Sequence, residues 1–570
     1  MATSRKISIP YVVVPARSGR PSKPPVVFMG GGPGSGTIQL AGYLANGVDL
    51  AADRDVVLLE QRGGDRATPD LSCPAADAQL ADMFTHTSDP YDEAKSVADA
   101  MRSCLDAFVA SGGDPRGYTA GEAALDLRDL RIKLGYPHWS LYGLSWSTGV
   151  MARLAAIDPS GVDAVVLDSF SPPSVDFAQN GYDGLRDSLD ALGQRAGGDL
   201  SHPYDDLMTT TRLLNTTPQN VPGHNPVTHE NRIYRLTGDD LVTLVHSAAY
   251  DVNLLPILPL LLHRLAAGHF DALHTLVSVG IGELVSHNLG QYWFMQCQDE
   301  VPYRRAGAHH ARPVIAWLAA DDVVCARLGL PPASATTREP VTFKQPTLIL
   351  AGAEDPITPA RVADQASEGL PRRQFVEFTG IGHAVVLSSD CGRTLIAAWL
   401  DQPSHPLDQC QTQPPYAVVQ PNDLHPAARL AAGVAGATDG RILPIIAPAL
   451  LVLVITFWAV GWVIWMFTRF VRRQTIRPGQ WFAVPPLAGL LFLATFGGLL
   501  WSEYDELPAR LLLGVPKLAP WTGLLLLVPL PIWRQLARKA PVLGRVGLAA
   551  GVLIWLAGAA WFMSEVVLPS

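Results

Sequence analysis

The chain has 570 residues, more than one domain needs, and only 17% of them are charged. Its formal charge of −9 is unevenly spread: from Arg441 onward eleven Lys/Arg face four Asp/Glu, and before it 32 face 48. An acidic part with no basic patch argues against nucleic acid as a partner. The six cysteines show no C-x-x-C or Cys/His zinc spacing, so neither a metal nor another cofactor is expected.

Near the start, "PPVVFMGGGPGSG" reads as a buried strand, Val26–Met29, running into a glycine-rich loop. "DVVLLEQRGGDRATP" repeats the form with a strand at Val56–Glu60. "AALDLRDLRIKLGY" predicts an amphipathic helix with Ala124, Leu127, Leu130 and Leu134 on one face and Gly135 at its end. "HWSLYGLSWSTGVMARLAAIDP" reads as a strand, a sharp turn at Ser145 and a helix, and "VDAVVLDSF" as a further strand. Strands alternating with helices imply a mostly parallel sheet wrapped by helices. This rhythm fills residues 1–171. It stops over 172–344, where Pro-interrupted helical runs such as "NLLPILPLLLHRLAAG" suit an inserted helical cap. It returns over 345–402 with "PTLILAGAEDPITP", "QFVEFTGIGHAVV" and the helix "CGRTLIAAWLDQP". Residues 403–440, rich in Pro, Gln and Ala, read as a linker.

Residues 441–570 read as a membrane region. Ile442–Thr468 is an uncharged run, longer than the ~20 residues that span a bilayer. Gln480–Trp501, Leu511–Trp533 and Val546–Met563 follow. The expectation is a bundle of about four transmembrane helices, or three if Leu511–Trp533, which carries Lys517 and prolines, is re-entrant. The basic loops "RFVRRQTIRPGQ" and "RQLARKAPVLGR" alternate with acidic "SEYDELPAR". Positive loops stay cytoplasmic, which turns everything before residue 441 to the extracytoplasmic side of a cell membrane. "MATSRKISIPYVVVPARSG" holds no apolar stretch long enough for a secretion signal, so a natural start upstream of Met1 is expected.

Three residues at predicted strand ends, Ser145, Asp355 and His383, suit nucleophilic catalysis. A serine hydroxyl is a poor nucleophile at neutral pH, so His383 would take its proton. Asp355 would fix the imidazole tautomer and stabilise its cation. The backbone N–H groups of Trp146 and Gly32 would receive the oxyanion. The turn "GLSWS" departs from G-x-S-x-G at Ser147. That position lies in the first turn of a helix, where no positive φ is demanded, so the turn reads as a working one. The remaining histidines, the His309-His310 pair included, read as surface residues.

On these motifs the chain resembles the prolyl and tripeptidyl aminopeptidase family of α/β-hydrolases, bacterial serine exopeptidases. The resemblance runs from Ile7 to Cys410. Its carriers are "GGGPGSG", the "QRG" turn at Gln61–Gly63, "YTAGEAALDLRDLRIKLGYPHWSLYGLSW", "PTLILAGAEDPITP", "GIGHAVV" and a cysteine opening the last helix. The sequence departs from the family at Ser147, at Glu60 where aspartate is usual, and at Asp65 where glycine is usual. The membrane tail lies outside the family pattern. The resemblance implies the α/β-hydrolase fold and cap acids that bind the free α-amine of a peptide. Asp299 and Glu300, beside Cys297, are the candidates, with Glu283 a third. Outward topology makes disulfides expected, and sequential spacing predicts Cys73–Cys104, Cys297–Cys325 and Cys391–Cys410. The expected protein is a membrane-anchored extracytoplasmic serine aminopeptidase, whose partners are peptides with a free N-terminus and membrane lipid. The alternatives are an esterase or lipase-like hydrolase on the same triad, and a non-catalytic binding module signalling through the spans.

Overall fold

The computed structural model describes residues 6–270, 273–304, 313–403, 416–427, 430, 443–473, 484–506, 508–528 and 542–568. It forms two compact units, Met1–Ala266 with Leu276–Val418, and Ala267–Thr275 with Val419–Ser570. The first unit holds strands β1 (Tyr11–Val14), β2 (Val26–Met29), β3 (Val56–Leu59), β4 (Trp139–Leu144) and β5 (Val162–Asp168). A hairpin, β6 (Gln219–His224) and β7 (Asn231–Leu236), precedes β8 (Thr347–Gly352) and β9 (Arg373–Phe378). Apart from the hairpin, these make one seven-stranded sheet in the order β1-β3-β2-β4-β5-β8-β9. Every neighbouring pair is parallel except β1 with β3.

Period-two alternation sends side chains into two apolar layers. Phe28, Leu58 and Tyr142 enter one layer, and Met29, Leu59 and Leu141 the other. The helices in chain order are α1 (Pro74–Asp82), α2 (Pro90–Ala110), α3 (Ala120–Leu134) and α4 (Trp146–Ile157). Then come α5 (Phe177–Ala196), α6 (Pro203–Thr216), α7 (Gly238–Ala248), α8 (Leu258–Ala266), α9 (Leu273–Leu284), α10 (Leu289–Asp299) and α11 (Ala316–Leu328). The last of this unit are α12 (Ala360–Ser367), α13 (Val385–Ser388) and α14 (Asp390–Asp401). Thr119 caps α3 by accepting the Glu122 N–H, and Gly135 closes it at φ 75°. Leu127 of α3 and Val150 of α4 cover one layer, and Ile396 and Trp399 of α14 the other.

Beyond the sheet, helices from two separate stretches share one core. Leu80 of α1 and Met101 of α2 pack with Trp293 of α10 and Val324 of α11. The helical layer thus draws on the chain between β3 and α3 as well as on the expected cap. Neither pair of amphipathic helices buries its apolar stripe alone. Disulfides clip both pairs, Cys73–Cys104 between α1 and α2 and Cys297–Cys325 between α10 and α11. The third expected pair involves Cys410, outside the described residues.

In the second unit two helical stretches, Pro448–Val471 and Leu487–Tyr504, are long and apolar enough to cross a membrane. A further apolar stretch, Val552–Val567, is shorter. The expected span at Leu511–Trp533 is corrected by the structure. Pro508–Leu512 and Ala519–Gly523 are 3-10 turns, and Gly514–Pro516 is a strand, β11. That strand pairs antiparallel with β10 (Leu424–Pro426), and among the described residues of this stretch α-helix is confined to Leu524–Leu527. Pro516 and Pro520 lack the N–H that a continuous helix needs. Residues 529–533 lie outside the described residues.

Candidate active site

The site gathers at the C-terminal ends of β2, β4, β8 and β9. Ser145 stands at the reversal from β4 into α4, with φ 56° and ψ −126°, a positive φ that non-glycine residues rarely take. The tight turn requires Gly143, where a Cβ would lie 2.8 Å from Thr148 Cα. Ser147 is fully buried. Its hydroxyl accepts the Leu144 N–H at 2.9 Å and donates to the Met29 carbonyl at 2.7 Å. The residue that breaks the sequence pattern therefore bridges the ends of β2 and β4.

The glycine loop after β2 lies against the turn at Ser145: a Cβ on Gly31 would come within 2.8 Å of Ser145 Cβ. Gln61, just past β3, holds this loop. Its Nε2 donates to the carbonyls of Gly30 (3.1 Å), Gly31 (2.6 Å) and Ser35 (3.2 Å). Its Oε1 accepts the Gly34 N–H at 3.0 Å and Gln291 Nε2 at 2.9 Å. Glu60, the family departure, accepts the Thr37 N–H at 3.0 Å. Asp65, another departure, accepts Asn288 Nδ2 at 2.8 Å.

Asp355, three residues past β8, is buried and accepts the N–H groups of Ile357 (2.8 Å) and Thr358 (2.9 Å) and the Thr358 hydroxyl (2.7 Å). Its Oδ2 lies 2.8 Å from His383 Nδ1. Burial alone would raise this carboxyl, but the His383 charge and the hydrogen bonds hold it below its ordinary value. Burial opposes the imidazolium at His383, yet the charge and hydrogen bond of Asp355 outweigh it, and the imidazole sits above its usual value.

Ser145, Trp146, Gly32 and His383 line one cavity of about 540 Å³, with Asp355 behind the imidazole. Its walls combine aromatic and leucine side chains, Trp293 and Trp317 among them, with polar ones such as Gln39, Asn253 and Gln296, and the Tyr250 ring stands edge-on to His383 at 5.5 Å. Three acids face it, Asp251, Glu283 and Asp321. Burial, and then Asp251, pushes the Glu283 carboxyl up. Burial raises Asp321 to about 6, although it accepts Trp293 Nε1 at 3.0 Å and pairs with Arg304 at 2.7 Å.

Asp299 and Glu300 are not brought to this cavity. They line a smaller one of about 40 Å³, with Arg153 and Arg338, on another side of Trp146. Asp299 accepts the Ala120 N–H at the start of α3 at 2.7 Å, and burial raises it to about 6. Glu300 accepts the Phe177 N–H at 3.1 Å and pairs with Arg304 at 2.8 Å. Asp299 thus holds the start of α3, and Glu300 the start of α5 and Arg304. Chain proximity to Cys297 does not reveal which way they turn. Nor are all the other histidines on the surface: His287 lines the large cavity and His246 is buried. The His309-His310 pair lies outside the described residues.

Residues 24–199 match the sequence family described as alpha/beta hydrolase fold, and residues 313–411 the one described as TAP-like protein. A probable proline iminopeptidase of Streptomyces coelicolor is 28% identical over 149 residues, 26% of this chain and 33% of that protein's length. Among solved structures, the proline iminopeptidase of Mycobacterium smegmatis is similar over 70% of this chain and 95% of its own, at 15% identity and TM-score 0.36. An esterase of Thermogutta terrifontis is similar over 70% and 95%, at 13% identity and TM-score 0.30. The sheet order and the matched segments give this chain the α/β-hydrolase fold.

Proposed function

We propose that this α/β-hydrolase is a serine aminopeptidase that releases a residue or short peptide from free N-termini. In this reading its C-terminal apolar helices anchor it in a membrane and its hydrolase unit faces the extracytoplasmic side. The observation that carries the reading is the pair of carboxyls, Asp251 and Glu283, on the wall of the cavity that holds Ser145 and His383. Burial and Asp251 disfavour the ionised form of Glu283, and a substrate ammonium is the group that would restore it. The TAP-like match and the relative named probable proline iminopeptidase support a peptidase. Two disulfides suit an oxidising compartment.

The chemistry then runs through an acyl-enzyme. Ser145 Oγ attacks the scissile carbonyl as His383 takes its proton, and Asp355 stabilises the imidazolium. The oxyanion is received by the N–H groups of Trp146 and Gly32. His383 returns the proton to the leaving amine, and water activated by the same imidazole cleaves the ester.

A peptide-library digest read by mass spectrometry, with Ser145→Ala as control, tests this. Acetylating the N-terminus should slow cleavage about thirtyfold or more, because a lost buried charge contact costs roughly 2–5 kcal/mol. Equal rates on free and acetylated peptides would refute an aminopeptidase. They would favour the esterase reading, to which the aromatic and leucine side chains in the cavity wall also lend support.

A further inference from the structure

Asp168 ends β5 and is fully buried. It lies opposite Leu144 in the ladder with β4, and its carbonyl accepts the Ser145 N–H at 2.9 Å. Its carboxylate reaches the other way. Oδ1 accepts the Val385 N–H and Oδ2 the Val386 N–H, each at 2.9 Å, and Tyr142 donates its hydroxyl to Oδ2 at 3.2 Å. The next residue, Ser169, accepts the Ala384 N–H on Oγ at 2.9 Å. All three N–H groups that follow His383 therefore end on two residues at one strand end. The nucleophile turn hangs from the same point.

Neutral oxygens could satisfy those N–H groups, as Ser169 does for Ala384. A carboxylate is costlier to bury than a hydroxyl, so its charge needs a separate reason. Among the described residues no Lys or Arg forms an ion pair with Asp168, and His383, when protonated, favours its ionised form.

We propose that Asp168 is a positioning residue for the base: it fixes the turn carrying His383 against the Ser145 strand end, and it sets a second negative charge near the imidazole, besides that of Asp355. This rests on the hydrolase reading above. Burial pushes the Asp168 carboxyl up to about 6, against the pull of the Val385 and Val386 N–H groups and of His383. Asp355 and Asp168 both favour the imidazolium. Tyr250 and His287 also face His383, and His287, when charged, opposes it. Removing the Asp168 charge weakens the imidazole's hold on its proton, so His383 becomes a competent base at lower pH.

The test is the pH dependence of the rate at which a fluorophosphonate labels Ser145 in the full chain. In Asp168→Asn the half-maximal pH should fall by about 0.5–1 unit, a three- to tenfold weaker proton affinity. The plateau rate should also fall, because the turn loses acceptors. Ser169→Ala removes a neutral acceptor and should lower the plateau with the midpoint unmoved. Tyr142→Phe takes one hydrogen bond from the carboxylate, so Asp168 stays protonated to higher pH. The midpoint should then move the same way by less, which decides the matter if Asp168→Asn does not fold. An unmoved midpoint in Asp168→Asn, or in Tyr142→Phe where the first variant does not fold, overturns the proposal. So does an equal shift in Ser169→Ala, which would make the effect one of geometry alone. A parent chain that does not label refutes the hydrolase reading, and this proposal with it, whereas a labelling parent with unmoved midpoints refutes the role of Asp168 alone.

Discussion

Replacing Ser147 by glycine restores the usual spacing of the nucleophile turn and isolates what the serine does there. The hydroxyl makes two buried hydrogen bonds, from the Leu144 N–H at 2.9 Å and to the Met29 carbonyl at 2.7 Å. Each contributes about 0.5–1.5 kcal/mol net. Glycine near the start of α4 costs roughly a further 0.5–1 kcal/mol in backbone entropy. The folded unit should therefore lose about 1.5–4 kcal/mol, a fall in Tm of about 2–5 °C for a unit of this size. Turnover should change far less. Ser145 keeps its anchor on the Asp168 carbonyl, and Gly143 still admits the close approach of α4. A rate within about tenfold of the parent, a barrier change of about 1.4 kcal/mol or less, is expected. Tryptophan-fluorescence melting and fluorophosphonate labelling of the same preparation read both quantities. An unchanged Tm would refute the bridging role of the hydroxyl. A labelling rate raised well beyond tenfold would refute the view that serine leaves the turn functional.

Gln61→Glu keeps the size of the side chain but turns a carboxylate oxygen toward the carbonyls of Gly30, Gly31 and Ser35. It should lower kcat about a hundredfold with KM little changed, since one misplaced oxyanion donor costs about that much, and weaker binding of a peptide boronate measures it. Below its own pKa His383 is a cation and cannot accept the Ser145 proton. Burial lowers that pKa and Asp355 more than restores it, so kcat/KM should fall as pH drops through a midpoint above the ordinary imidazole value of about 6.5. A pH profile with its acid limb below that value contradicts the Asp355 contact. The paired substitution Cys297→Ala with Cys325→Ala should cost about 2–4 kcal/mol. Differential scanning calorimetry with and without reductant should then show a loss of reductant sensitivity at this bridge.

Much of the sheet was legible because a buried parallel strand leaves a local trace, a short apolar run closed by Gly, Asp or Ser. Val26–Met29, Trp139–Leu144 and Thr347–Gly352 are such runs, and the loops behind them carry Gly32, Ser145 and Asp355. The bridging of Ser147 was less so. Its tolerance follows from local φ/ψ, but its partner Met29 lies on another strand.

By itself, then, the sequence determined the alternating strand-and-helix core, the order of Ser145, Asp355 and His383 along strand ends, and the long apolar run after residue 441. All of these depend on neighbours within a few residues, or on composition. Only the tertiary structure decided that α1 and α2 join α10 and α11 in one core, that Asp299 and Glu300 turn away from Ser145 while Asp251, Glu283 and Asp321 face its cavity, and that the stretch after Leu511 folds back through β11. Asp168 belongs with these, because its four hydrogen bonds join residues 145 and 385 through a strand between them. Which face a helix presents, and which distant N–H a carboxylate meets, is set by packing between segments far apart in the chain, and no local spacing encodes it.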